Sequence, residues 1–162
     1  MEVDPFPAAD FDAWAGTYDL NVLEESRFPF IGYQQVLGAV VGLADIQPGL
    51  CVLDLGTGTG NLAAAFAGRG CRVWATDYSA QMLAQARSKY PQIRFYQADL
   101  RRGWLDELPE TFDVIVSAYV FHHFLLPEKV RLASLFASHL AARGKLILAD
   151  IAFPDAASRE RF

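Results

Sequence analysis

Val52-Leu53-Asp54-Leu55-Gly56-Thr57-Gly58-Thr59-Gly60-Asn61-Leu62 is the stretch on which the fold turns. It opens inside a short apolar run, residues 50–55, that stops at Gly56, the pattern of a buried strand entering a tight turn. Three glycines at alternate positions let the backbone bend sharply and approach a ligand closely. The helix expected from Asn61 to Ala67 then presents unpaired N–H donors at its first turn. Alone, such a loop is weak evidence, because many nucleotide-binding proteins carry something similar.

Downstream, Gly68 and Gly70 end that helix. Residues 71–76 read as the next strand, and Ser79 can cap a helix from Ala80 to about Lys89, broken by Pro91. Strands recur at 93–97, 112–117 and 145–151. Between the last two, a helix carries Pro127 in its first turn, runs to Leu140 and is closed by Gly144. Upstream, residues 8–18 and 29–44 read as two helices. Ile31, Val36, Leu37, Val40, Val41 and Leu43 give the second its helical spacing, and Pro48-Gly49 punctuates the chain after it. Strands alternating with helices mean a parallel sheet with helices on both faces. The 162 residues suit one α/β domain, with helices in 1–47 and the core in 48–162, and without an internal repeat or interdomain linker.

Bulk composition narrows the partners. At 52% hydrophobic and 20% charged, the chain is ordinary for a soluble globular protein. A net charge of -5 disfavours a phosphate backbone, so no nucleic acid is expected and a small molecule is the better partner. Apolar runs such as 114–116 fall far short of the roughly 20 residues of a membrane-spanning helix. Met1-Glu2-Val3-Asp4-Pro5 lacks the basic and apolar regions of a signal peptide, so none is expected. A cytoplasmic location is therefore expected. Cys51 and Cys71 start neighbouring strands, where a bridge is conceivable, but free buried thiols are the commoner state there.

In sheets of this kind, ligands bind outside the carboxyl ends of the strands, where the strand order reverses. Asp77 stands at such an end, about 20 residues after Gly56, where a carboxylate accepts hydrogen bonds from ribose hydroxyls. Asp99 follows the strand 93–97, where a carboxylate can accept from an exocyclic adenine amine. One Asp at a strand end is by default a solvated loop residue. The glycine loop and two carboxylates in register point instead to an adenosine-bearing cofactor. The dinucleotide fingerprint G-x-G-x-x-G is missed, since the third glycine comes one place early at Gly60 and Asn61 takes its position. There is also no room for a separate hydride-acceptor domain, so NAD is the second choice.

The segment 52–62 resembles motif I of the class I S-adenosylmethionine-dependent methyltransferases. Asp77-Tyr78-Ser79 with Met82-Leu83 resembles the second motif of that family, and Gln97-Ala98-Asp99-Leu100 the third. Phe112-Asp113-Val114-Ile115-Val116, leading to Phe121-His122-His123-Phe124, resembles the fourth region. Asp12-Ala13-Trp14-Ala15 to Tyr18-Asp19 is similar to the N-terminal segment of small bacterial methyltransferases that share the His-His pattern. The likeness runs from about residue 10 to the end.

The resemblance implies a Rossmann-like methyltransferase fold, S-adenosylmethionine as cofactor and a small-molecule methyl acceptor. Gly56 and Gly58 would pack against the amino-acid part of the cofactor, Asp77 would take the ribose and Asp99 the adenine amine. Tyr78 and Met82 would flank the adenine, and Tyr18 would lie near the methionine carboxylate. Asp54, Thr57, Leu100 and Ser117 complete the implied cofactor set. Tyr18, Met82 and Leu83 read equally well as core residues.

Methyl transfer is an in-line displacement in which the protein mainly supplies proximity and orientation. A general base matters only when the acceptor must lose a proton. Its candidates are His122 and His123, with Tyr119 a weaker one. Neighbouring residues do not share a helix face, so at most one histidine is expected to point into the site, and packing or hydrogen bonding competes as a role for both. His122, His123 and Asp150 could ligate a metal, but neither H-x-x-x-H nor C-x-x-C occurs, and no metal is expected. Ser117-Ala118-Tyr119-Val120 replaces the signature of enzymes that methylate adenine in DNA or glutamine.

Residues 132–140 and the stripe Leu146, Leu148, Ile151 read as core, and Arg159-Glu160-Arg161 as a solvated helix end. Class I enzymes usually follow the fifth strand with a helix and a two-stranded hairpin, whereas this sequence ends at Phe162. The expectation is an uncovered sheet edge open to pairing with a second copy. Cofactor binding should survive, and turnover is the open point. The alternative is a non-catalytic S-adenosylmethionine-binding module or an inactive truncated core.

Overall fold

In the computed structural model, which describes residues 7–24, 28–152 and 155, three helices precede the sheet. They are α1 (Ala8–Trp14), α2 (Tyr18–Glu24) and α3 (Tyr33–Ala44). The single helix expected over 8–18 is thus divided. The chain turns after Trp14, with the Thr17 N–H donating to the Trp14 carbonyl at 3.0 Å, and Gly16 in that turn is a poor helix former. The helix expected from residue 29 starts only at Tyr33, because Gly32 before it takes a left-handed φ of 77°. Its buried stripe is Tyr33, Leu37, Val40, Val41 and Ala44, while Ile31 and Leu43 face solvent.

Five parallel strands follow, in the spatial order β3-β2-β1-β4-β5. They are β1 (Cys51–Leu55), β2 (Arg72–Asp77), β3 (Arg94–Gln97), β4 (Phe112–Ala118) and β5 (Leu140–Ala149). Helices α4 (Asn61–Ala67), α5 (Ala80–Lys89) and α6 (Leu126–Ser138) connect them. The order reverses between β1 and β4, which places the topological switch point at the ends of those two strands.

Alternate residues of each strand feed separate cores. Val52, Val73, Ala75, Val114 and Val116 pack with Leu37, Val40, Phe66 and Leu83 from α3, α4 and α5 on one face. Leu53, Leu55, Trp74 and Ile115 pack with Leu132 and Phe136 of α6 on the other. A fully buried Val, Leu or Phe contributes roughly 1.5–3 kcal/mol, so both faces hold the strand ends firmly in place.

The region after α6 departs from expectation. The helix ends at Ser138, and β5 starts at Leu140, opposite Phe112. The next pair is Val114 with Lys145, so five steps along β5 match two along β4, and Gly144 sits in this irregular stretch rather than closing the helix. A Cβ on Gly144 would lie 2.9 Å from the Ala141 carbonyl oxygen. The stripe expected to be core is only partly covered, since β5 is an edge strand and Leu148 is 40% exposed. Cys51 and Cys71 are free thiols. Arg159-Glu160-Arg161 lies outside the described residues. No helix among the described residues is long and apolar enough to cross a membrane.

Candidate functional site

The loops leaving the carboxyl ends of all five strands border one cleft of about 260 Å³, roofed by α1 and the start of α2. From the first loop come Gly56 and Gly58, from the second Asp77 and Tyr78, and from the third Asp99, Leu100 and Arg101. The fourth gives Tyr119, Val120, His122 and His123, and the fifth gives Ile151. Asp10, Phe11, Trp14 and Tyr18 close the cleft from the N-terminal helices, and Met82 reaches it from α5.

The glycine loop is held from below. The N–H groups of Gly56 and Thr57 donate to the Thr76 carbonyl at 2.8 and 2.9 Å, joining the end of β1 to the end of β2. Gly56 has φ 70°, and a Cβ there would overlap the Val120 side chain. Its lack of a side chain therefore makes room for the loop after β4 as well as for the turn. Gly58 has φ 55°, and the nearest atom to a Cβ there would be Tyr18 Cε1 at 4.0 Å, which leaves its face open to the cleft. The side chains around this loop extend the frame. Asp19 on α2 accepts from Thr59 Oγ1 at 2.6 Å, from Asn61 Nδ2 at 3.1 Å and from Lys89 Nζ at 2.6 Å. The side chain at the position the dinucleotide fingerprint reserves for glycine is thus a strut to the N-terminal helices.

Asp77 is buried at the rim of the cleft. Its Oδ2 accepts the Gly58 N–H at 2.8 Å and its Oδ1 accepts the Ser79 N–H at 2.9 Å. Burial raises its pKa above the usual carboxylate range, against the lowering effect of those N–H groups. The Tyr78 N–H also bonds this carboxylate, and of its roughly four lone-pair positions one remains for a further donor such as a ribose hydroxyl. Asp99 accepts the Arg101 N–H at 3.0 Å and is half-buried in the cleft wall. Tyr18 packs edge-on against Trp14 with centroids 4.9 Å apart, and burial raises its phenol pKa well above the ordinary value.

Of the residues expected at the site, Tyr18, Gly56, Gly58, Asp77, Tyr78, Met82, Asp99, Leu100, His122 and His123 border the cleft together. Asp54, Thr57 and Ser117 do not line it; they are buried behind it. Thr57 Oγ1 donates to Asp54 Oδ2 at 2.7 Å, and Ser117 Oγ donates to the Leu55 carbonyl at 2.8 Å. Burial pushes the Asp54 pKa up to about 7.

Both histidines border the cleft, where at most one was expected. They occupy a single 3₁₀ turn, Phe121–His123, rather than the face of a longer helix, and their rings lie 3.8 Å apart. His122 Nδ1 is 2.7 Å from Asp150 Oδ1, and the His123 ring meets Phe11 edge-on at 5.4 Å. Tyr119 carries a φ of 60°, an uncommon conformation for a residue with a side chain, and faces Tyr33 with centroids 5.7 Å apart. Sequence reasoning missed Phe11, Phe30 and Arg101 in the lining, and it grouped Asp150 with His122 only as a conceivable metal ligand, not as its hydrogen-bond partner. Only the β4–β5 pairing brings Asp150 close, and no local pattern announces it.

Residues 52–144 match the family described as a methyltransferase domain, more than half of the chain. An uncharacterized methyltransferase of Anoxybacillus flavithermus is 34% identical over 146 residues, which cover 88% of this chain and 66% of that protein. One from Alkaliphilus oremlandii is 35% identical over 149 residues, again 88% and 66%. The chain spans about two thirds of the length of these relatives. Among solved structures, the DhpI–SAH complex is alike in fold, with a TM-score of 0.73 at 24% identity, covering 90% of this chain and 68% of that one.

Proposed function

The chain belongs to the class I S-adenosylmethionine-dependent methyltransferases, and from that premise we propose that it binds this cofactor along the carboxyl edge of its sheet and directs the methyl group in line onto a small-molecule acceptor. The observation that carries the reading is Asp77, pinned by the Gly58 and Ser79 N–H groups at the rim of the cleft with acceptor capacity to spare. The residues present fit adenosine joined to methionine. Asp77 would take a ribose hydroxyl, while Tyr78 and Met82 would bracket the adenine, with Asp99 and Leu100 at its amine edge. The open face of Gly58, with Tyr18 across from it, would receive the amino-acid portion. Asp54, Thr57 and Ser117 would serve from behind, by holding the loops in register.

The cofactor supplies a methyl group already attached to a good leaving group. The work left to this chain is to orient both reactants, exclude water with the aromatic roof and manage any proton the acceptor must lose. The acceptor end of the cleft is the part nearest His122, His123, Tyr119 and Ile151.

Calorimetric titration with S-adenosylhomocysteine tests the proposal. The chain should bind, and Asp77→Ala should weaken binding by about ten- to a hundredfold, as expected for losing hydrogen bonds to a charged group worth about 1.5–3 kcal/mol. Equal affinity in the two proteins would remove Asp77 from the site, and absence of binding to the folded chain would overturn the proposal.

A further inference from the structure

Strands β4 and β5 run in register up to Ala118 and Ala149, so the residues that follow them leave the sheet side by side. His122 comes from the first of these exits and Asp150 from the second, and their side chains meet at 2.7 Å between Nδ1 and Oδ1. The same Asp150 oxygen also accepts the Ile151 N–H at 2.8 Å, which fixes the carboxylate against its own backbone. An ionised carboxylate only accepts hydrogen bonds, so the proton of this contact sits on His122 Nδ1. In the neutral ring the lone pair is then on Nε2, at the opposite edge of a ring that borders the cleft.

We infer that Asp150 is a positioning residue that holds His122 as the general base of the reaction, and that the acceptor carries a hydroxyl or thiol on an aromatic body. The inference rests on the methyl-transfer reading and deepens it. A base earns its place only where the attacking atom holds a proton that it must lose. Phe11, Trp14, Phe30 and Tyr119 give the cleft flat apolar surface, and Phe11 brings it to the histidines by meeting the His123 ring at 5.4 Å. Among the described residues, Asp10, Asp77, Asp99 and Arg101 are the other charged side chains lining the cleft, and all come from other loops or helices.

In the step this implies, the acceptor oxygen or sulfur forms its bond to the methyl carbon as the methyl–sulfur bond breaks, with that electron pair staying on the cofactor sulfur. The acceptor proton passes to His122 Nε2. The positive charge that began on the sulfonium ends on the imidazolium, where the Asp150 carboxylate offsets it. The proton is then released to water.

The test uses the full chain, His122→Gln and Asp150→Asn. All three are first titrated with S-adenosylhomocysteine, so that loss of the cofactor reading shows itself separately from loss of the base. Nitrogen-15 spectra of the imidazoles should show His122 protonated on Nδ1, and Asp150→Asn should disturb that preference. A spectrum with the proton on Nε2 in the unaltered chain would overturn the inference. Methyl transfer is then measured to phenol, catechol, 4-nitrophenol, thiophenol and aniline. Transfer should go to hydroxyls or thiols. His122→Gln should lower kcat about 10²–10⁴-fold on catechol with cofactor affinity unchanged. Asp150→Asn should lower it by up to the same factor, because an amide permits the wrong tautomer. On 4-nitrophenol at a pH where it is already ionised, the His122 effect should vanish. A His122→Gln enzyme with full activity on catechol would contradict the inference. So would equal losses on both phenols, transfer to aniline alone, or a chain that binds the cofactor product and methylates none of the hydroxyls or thiols.

Discussion

The two ends of the cleft are built by different means. The end under β1, β2 and β3 is a lattice of short backbone contacts: Gly56 and Thr57 to Thr76, Gly58 and Ser79 to Asp77, and Ala98 to the Asp77 carbonyl at 2.8 Å. The end beyond β4 is built from side chains of distant segments. Trp14 and Phe30 touch by their rings, and Phe11 reaches both Tyr78 at 5.3 Å and His123 at 5.4 Å. Backbone geometry determines the first end almost completely, so it suits a ligand that does not change. Ring packing determines the second, and it can be resurfaced residue by residue without disturbing the sheet.

Breaking the backbone-built end should have the largest effect. Gly56→Ala places a methyl into Val120 and forces a side chain onto a φ of 70°. Strain of about 1–2 kcal/mol from the conformation and about 1–3 kcal/mol from overpacking should add, and urea unfolding measures the sum. Adding Val120→Ala should recover the packing part and leave the conformational part. Recovery of the whole loss would mean that φ costs nothing there.

Asp54 sharpens the same end through pH. Its pKa is pushed up to about 7 by burial, against about 3.9 for an exposed Asp. The folded state therefore holds a proton that the unfolded state releases, and stability falls as pH rises through the window between those values, by at most about 4 kcal/mol. Asp77, also raised by burial, adds slope of the same sign. Asp54→Asn should flatten thermal stability between about pH 4 and 7, and an unchanged slope would contradict the assignment.

At the ring-built end the effects should be smaller and should separate the ligands. Phe11→Ala removes two ring contacts worth about 0.5–1.5 kcal/mol each, so the acceptor KM should rise by up to about five- to 150-fold while S-adenosylhomocysteine affinity moves less. The reverse pattern would place Phe11 over the cofactor alone. The smallest change belongs to Asp12, which accepts from Ser79 Oγ and from the Gln81 N–H and so docks α1 on α5. Asp12→Ala should speed hydrogen exchange in residues 8–14 by up to about tenfold, with global stability little altered.

The same contrast explains what could be read in advance. Strands β1 to β4 and helices α4 and α5 declare themselves in local hydrophobicity, glycines and a Ser79 cap, so their bounds fall within a residue or two of expectation. Gly56, Gly58, Asp77 and Asp99 could be placed at the cleft because they stand at the ends of strands that local pattern reveals. Leu140 to Gly144 misled, because a run of alanines reads as helix until Leu140 finds Phe112 across the sheet. Asp54, Thr57 and Ser117 are set by which side of the loop each faces, a matter of tertiary packing. The His122–Asp150 contact joins residues 28 positions apart, and the aromatic roof joins α1 to loops far along the chain.

A crystal structure of this chain with S-adenosylhomocysteine is the most direct test of the central claim. The account predicts a ribose hydroxyl on the Asp77 carboxylate, the adenine beside Tyr78, Met82 and Leu100, and the sulfur facing the end of the cleft that holds His122. Density for the ligand away from the glycine loop, or with its ribose far from Asp77, would contradict it.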